Sequence, residues 1–254
     1  MKVTRMLGLA AIVVGLGLSA CCATKTASRG GSAGGAPTGF VFNSVSVNGQ
    51  TIDYAVYVPR GYDAHKPMPA ILFLHGSGES GTDGVKMIGQ GLPKEITWNA
   101  GKWPFIVVIP QKPVEEKQWE AYDAPVMAAL EKVEQRYNVD RTRVYLTGLS
   151  QGGHGCWTYG AAHPGVFAAI APVCGYGDPA ELASKLTGVP IWAFHGDADD
   201  VVNPDQTRKM VAAIMAAHGD AKMTIYPGVN HGSWEKAYAD PVLPEWLLAH
   251  HLEK

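Results

Sequence analysis

Val144-Tyr-Leu-Thr-Gly-Leu-Ser-Gln-Gly-Gly-His154 reads as an apolar strand, a sharp turn and the opening of a helix. Ser150 stands at the turn, framed by Gly148 and Gly152 in a G-x-S-x-G pattern. A nucleophile at the tip of so tight a strand-to-helix turn sits in a strained backbone conformation, so its close neighbours must lack bulk. The helix that follows turns its unpaired N–H groups and the positive end of its dipole toward that serine, where an oxyanion would form. In a chain with 30 glycines such a pattern also arises by chance. Its meaning therefore depends on what the rest of the chain supplies.

Outward from this stretch, the chain is punctuated by apolar runs. Phe40–Val47 and Ile52–Val58 alternate apolar and polar positions around Asn48-Gly49, a strong hairpin signal. Ala70–His75 and Phe105–Pro110 are continuous apolar runs, as expected of strands buried on both faces. Phe167–Val173, Pro190–His195 and Lys222–Tyr226 are strand-like, while Ala121–Tyr137, Pro204–His218 and Leu243–Leu252 have helical spacing. A hairpin followed by strand–helix alternation implies the α/β class: about eight strands in a mostly parallel sheet covered by helices on both faces. Sites in such sheets lie beyond the carboxyl ends of the strands. Each chemically suggestive cluster falls at such an end: His75-Gly76-Ser77-Gly78, Ser150, Asp197-Ala198-Asp199 and Asn230-His231.

The 254 residues, 46% hydrophobic and 17% charged, suffice for one large domain. A net charge of −2 gives no electrostatic case for a nucleic-acid partner. At the N-terminus, Lys2 and Arg5 precede an apolar run, Met6–Leu18, that is too short to span a bilayer. Leu18-Ser19-Ala20-Cys21 then resembles the lipobox of bacterial lipoproteins. The expected organisation is a signal peptide over 1–20, a lipidated Cys21 and flexible tether over 21–38, and a catalytic domain over 39–254. An ordinary secretory signal cut nearby is the alternative. Residue 22 is Cys rather than Asp, which points to the outer membrane if the source is Gram-negative. Cys156 and Cys174 remain in the domain; export would permit a disulfide between them, and two buried free thiols is the plainer reading.

A serine hydroxyl is a poor nucleophile until a base takes its proton, and that base needs an orienting carboxylate. Of nine histidines, His231 lies in a short loop after the last strand, between Gly228 and Gly232, and is assigned the base. His75 and His195 each precede a glycine at a strand end, where a ring braces the turn. His154 is one helical turn beyond Ser150 and poorly placed to reach back. Asp197, Asp199 and Asp200 compete for the acid. Two oxyanion donors are expected, the N–H of Gln151 and that of Ser77, with Gly76, Gly78 and Gly81 letting the loop approach a substrate. Gly76–Gly81 also matches G-x-G-x-x-G, but Glu79 would repel a pyrophosphate and no convincing helix starts after it, so no nucleotide cofactor is expected. Nor does any His, Cys or carboxylate group have metal-ligand spacing along the chain.

The motifs Leu74-His-Gly-Ser-Gly-Glu-Ser-Gly81, Val139 to Gly153, Phe167 to Gly175, His195-Gly-Asp-Ala-Asp199 and Asn230-His231 together resemble the bacterial carboxylesterase branch of the α/β-hydrolases. That branch includes phospholipase/carboxylesterase-like, polyhydroxybutyrate-depolymerase-like and feruloyl-esterase-like members, some labelled predicted peptidases. The resemblance runs from about Val41 to Leu252. It implies the α/β-hydrolase fold and a Ser150–His231–Asp199 triad, and it singles out Asp199 as the acid, leaving Asp197 or Asp200 to cap the following turn. Many relatives carry a cap domain after the strand that follows the nucleophile. Gly175–Val189 has room for one short helix only, so an open site suited to small or polymer-attached esters is expected. Trp119 and Trp234 are candidates to line it. A serine peptidase and a non-catalytic envelope lipoprotein are the competing readings.

Overall fold

The computed structural model describes residues 37–253, so Cys21 and the expected signal peptide and most of the tether lie outside the described residues. An eight-stranded sheet runs in the order β1-β2-β4-β3-β5-β6-β7-β8. Its strands are β1 (Gly39–Val47), β2 (Gln50–Val58), β3 (Met68–Leu74), β4 (Ile106–Pro110), β5 (Val139–Leu149), β6 (Ala169–Val173), β7 (Ile191–Gly196) and β8 (Ala221–Tyr226). The β1–β2 hairpin turns at Asn48 and Gly49, both with positive φ, 52° and 78°, the conformation that this dipeptide favours. β2 is antiparallel to β1 and to β4; from β4 through β3 to β8 every pairing is parallel.

The sequence cause of this sheet is visible in β3. Ala70, Leu72 and Leu74 join one apolar layer, while Ile71 and Phe73 join the other. A strand's side chains alternate faces, so a run without polar residues must be covered twice. One layer is roofed by α2 (Asp123–Arg136), α3 (Gln151–Ala162), α4 (Pro179–Leu182) and α5 (Asp205–Ala216). The other is roofed by α1 (Gly91–Asn99), α6 (Trp234–Ala239) and α7 (Val242–Leu248). α1 and α6 carry no clear apolar period in the sequence, so periodicity does not mark them as helices. The helix expected over Leu243–Leu252 ends at Leu248. Leu252 instead donates its N–H to Thr142 at 2.8 Å.

Cys156 packs in the first layer and Cys174 in the second. Both are free, and the sheet stands between them. Between β6 and β7 the chain forms only α4 and a single 3-10 turn, Ala183–Leu186. No cap domain is inserted there.

Candidate active site

β5 delivers Ser150 to the carboxyl edge of the sheet, with φ 54° and ψ −115°. A side chain in this region is strained, and the surroundings must enforce it. The Ser150 N–H donates to Val173 of β6 at 2.9 Å, which ties the turn to the next strand. A Cβ on Gly148 would come within 2.6 Å of the carbonyls of both Leu74 and Gly152, and one on Gly152 would overlap the Leu74 backbone. The glycines of G-x-S-x-G are therefore required by contact with β3. The same crowding reaches Gly76, where a Cβ would lie 2.8 Å from Leu149 Cδ1 and 3.6 Å from the Ser150 Cβ. At Gly78 a Cβ would meet nothing, so packing places no demand there.

The β8–α6 loop brings His231 to Ser150, with Nε2 at 2.9 Å from Oγ. Its Nδ1 lies 2.7 Å from Asp199 Oδ2. A carboxylate only accepts, so Nδ1 carries the proton and Nε2 is free to accept from the serine hydroxyl. Burial raises the Asp199 pKa, but the His231 bond and the N–H groups of Val202 and Val201 outweigh it and hold the carboxyl below its ordinary value. Those two N–H groups reach Oδ1 at 2.9 Å each. Asp199 thus caps its own turn, the task expected of Asp197 or Asp200. Asp197 instead accepts the Gly228 N–H at 2.6 Å, which fastens the loop that carries His231. A fifth member, His195, places Nε2 3.0 Å from Asp199 Oδ2. The sequence marked it only as a strand-end ring.

Beside Ser150, the loop after β3 is built from buried polar groups. His75 Nε2 accepts the Lys112 N–H at 3.0 Å, so its Nδ1 carries the proton and donates to Gly76 O at 2.6 Å. Burial holds the His75 pKa down to about 3, which keeps the ring neutral. With the Gly76 carbonyl held, the trans peptide turns the Ser77 N–H to the opposite side. Gln151 opens α3, where an N–H has no partner within the helix. Lys112 Nζ bonds Ser80 Oγ at 2.9 Å and Glu115 O at 3.0 Å, and burial pushes its pKa down to about 8. No sequence signal marks Lys112; a lysine two residues past a strand end reads as solvated.

Trp119 does not line a pocket. It is 0% exposed, its indole N–H donates to His75 O at 3.1 Å, and its ring meets the His75 ring edge-on at 4.7 Å. It packs against Gly155 of α3, under the loop rather than above it. Trp234 is half-buried and stands edge-on to His231, ring centroids 5.4 Å apart. His154 does not approach the triad with a free nitrogen: Nε2 pairs with Glu120 at 2.8 Å and Nδ1 with Tyr176 O at 2.8 Å. Burial opposes its charge, yet the Glu120 bond prevails and raises the His154 pKa, while Glu120 is brought down to about 2.

The fold also gathers a donor set that spacing along the chain does not reveal. Cys174, Asp199 and His231 offer ligand atoms within 4.8 Å of one another. Burial pushes the Cys174 thiol up to about 12, so it stays protonated, and Asp199 and His231 are already bonded directly to each other. A cysteine binds a metal as its thiolate and a histidine through a free ring nitrogen, and here the thiol is protonated and Nδ1 donates to Asp199, so this set fits a cation poorly.

Comparison with known proteins bears on the fold and the family. A solved thermostable esterase superposes with a TM-score of 0.74 at 29% identity, covering 84% of this chain and 63% of that one. The feruloyl esterase module from Clostridium thermocellum, solved as a mutant complexed with sinapinate, gives a TM-score of 0.64 at 19% identity, covering 82% and 86%, a likeness of fold. In sequence, a carboxymethylenebutenolidase-like protein of Escherichia coli (strain K12) is 29% identical over 124 residues, 43% of this chain and 44% of that one. The bifunctional acetylxylan esterase/xylanase of Neocallimastix patriciarum is 28% identical over 162 residues, 61% of this chain and 22% of that one. The chain thus spans less than half the length of these two relatives. Residues 99–241, which run from the end of α1 through the nucleophile turn to the loop and helix beyond His231, match the dienelactone hydrolase family, and the chain belongs to that family.

Proposed function

We propose that this chain is a serine hydrolase that cleaves carboxylic esters through an acyl-enzyme. The observation that carries the reading is the continuous relay Ser150 Oγ–His231 Nε2 at 2.9 Å and His231 Nδ1–Asp199 Oδ2 at 2.7 Å. Ser150 attacks the ester carbonyl as His231 takes its proton. His231 then gives that proton to the leaving alcohol, and Asp199 holds the imidazolium. Water repeats the sequence on the acyl-enzyme, its proton passing to His231 and back to Ser150. The N–H groups of Gln151 and Ser77 supply the oxyanion donors; losing one such donor costs about 10²–10³ in kcat. Trp234 walls the site beside His231. The short β6–β7 crossover leaves the site open, which suits small or polymer-attached esters, the class to which the acetylxylan and feruloyl names of the similar proteins also point.

The test is hydrolysis by the chain lacking residues 1–38. p-Nitrophenyl esters of increasing length, methyl ferulate and aminoacyl anilides are the substrates. Ester turnover that vanishes in Ser150→Ala is the expected result. A rate that survives Ser150→Ala overturns the mechanism, and preference for an anilide makes the protein a peptidase.

The lipobox-like Leu18–Cys21 supports a further part of the proposal, attachment to the cell envelope through a lipid on Cys21. Among the described residues no helix is long and apolar enough to cross a membrane. Cys21→Ala should release the full chain from the membrane fraction; continued association removes the lipid reading.

A further inference from the structure

Asp199 Oδ2 accepts from two imidazoles: His231 Nδ1 at 2.7 Å and His195 Nε2 at 3.0 Å. The second is no chance neighbour. The side chains of His195 and Asp199 are both 0% exposed. His195 Nε2 also faces Val202 O at 3.0 Å, so it looks at two acceptors and must carry the proton. Its Nδ1 then accepts from the Thr207 hydroxyl of α5 at 2.7 Å. The ring is locked on both sides and presents one donor to the oxygen that holds the base.

We propose that His195 is a positioning residue for this reaction: its Nε2–H shares Asp199 Oδ2 with His231 and draws off part of that oxygen's negative charge, which sets how strongly Asp199 stabilises the protonated base. The proposal rests on the triad reading above. Oδ2 has two in-plane lone pairs, enough to accept from both imidazoles. Without that donor the N–H groups of Val201 and Val202 still hold Oδ1, but Oδ2 is left to His231 alone and its full charge falls on the base. Burial holds the His195 pKa below its usual value, which favours the neutral ring. The other titratable group facing Asp199 is Cys174 at the end of β6, held protonated by burial. From α5 the facing group is Thr207, which carries no charge.

The test compares His195→Phe, His195→Asn and His195→Gln. The amide of His195→Gln reaches the place of Nε2 and restores the donor to Oδ2. That of His195→Asn reaches only the Nδ1 side, toward Thr207. In His195→Phe and His195→Asn the acidic limb of the pH profile of kcat/KM, which reports the free enzyme's base, should move up by about one pH unit. KM should stay little changed. His195→Gln should return the limb to the wild-type position. If His195→Phe does not fold, the contrast between the Asn and Gln variants carries the test alone. A limb at the wild-type pH in all folded variants, whatever their kcat, overturns the proposal and leaves His195 as core packing. If the wild-type chain hydrolyses no ester, it is the proposed function that fails. The titration of His231 followed by its ring-proton NMR signal then decides the His195 proposal by the same shift.

Discussion

Asp199 holds His231 at 2.7 Å through Oδ2 while its Oδ1 closes the turn onto the N–H groups of Val201 and Val202. One carboxylate therefore builds its own loop and orients the His231 ring. Asp199→Asn offers an amide N–H where only donors converge. It should lower kcat by about 10³–10⁴-fold, because His231 loses the acceptor that fixes its tautomer. The same change should cost about 1–3 kcal/mol in urea unfolding, since the side chain is buried. A variant with kcat within a few-fold of wild type would place the acid elsewhere.

Trp119 stands under the loop after β3 and donates to His75 O. Trp119→Phe leaves that buried carbonyl without a partner and leaves a small void, an expected loss of about 2–4 kcal/mol of stability. The ratio of kcat/KM between a short acyl ester and a bulky aromatic one should not change. A shift in that ratio would return Trp119 to the substrate pocket.

His75 is buried and neutral, with its pKa lowered from 6.5 to about 3. The unfolded chain binds a proton there that the folded chain refuses. The stability that His75 contributes is therefore fully present above about pH 6.5 and is lost as pH falls from there toward 3. Urea midpoints should drop across this window. In His75→Asn, whose amide can still reach Gly76 O but does not titrate, the drop should be shallower. Equal slopes in the two proteins would count against a buried neutral ring.

Cys156 and Cys174 are buried thiols whose pKa values burial raises, Cys174 to about 12. Neither should alkylate in the native protein at pH 8, and both should alkylate once it is unfolded without reductant. Peptide mapping distinguishes them from Cys21 and Cys22. A disulfide-linked peptide pair would contradict their separation by the sheet.

Much of this architecture could be read from residue types. The runs that became β3, β4 and β6, and β7 as far as Phe194, are apolar at every position, because both faces of each are covered. The elbow was legible because Gly148 and Gly152 face backbone atoms of β3, where no side chain fits. Helix α1, GLPKEITWN, was not legible: its Gly, Pro and β-branched residues oppose a helix, and burial of Leu92 and Ile96 against the sheet overrides them. The support around the triad was hardest to see. His195, Asp197, Lys112 and Thr207 act through contacts across 4 to 37 positions of the chain, and nothing in their immediate neighbours announces a partner. Trp119 shows the converse error. Its position past a strand end suggested a rim, while its indole N–H had a buried carbonyl to satisfy.

The crossover between β6 and β7, two short turns where an inserted cap would stand, has a kinetic consequence. A hydrolase whose cleft must be uncovered shows a jump in rate when its substrate forms micelles or droplets, since the apolar surface drives the opening. Among the described residues no inserted cap stands over this cleft. Hydrolysis of a short-chain ester should rise smoothly with concentration through the solubility limit, and turnover should show no lag on dilution from detergent.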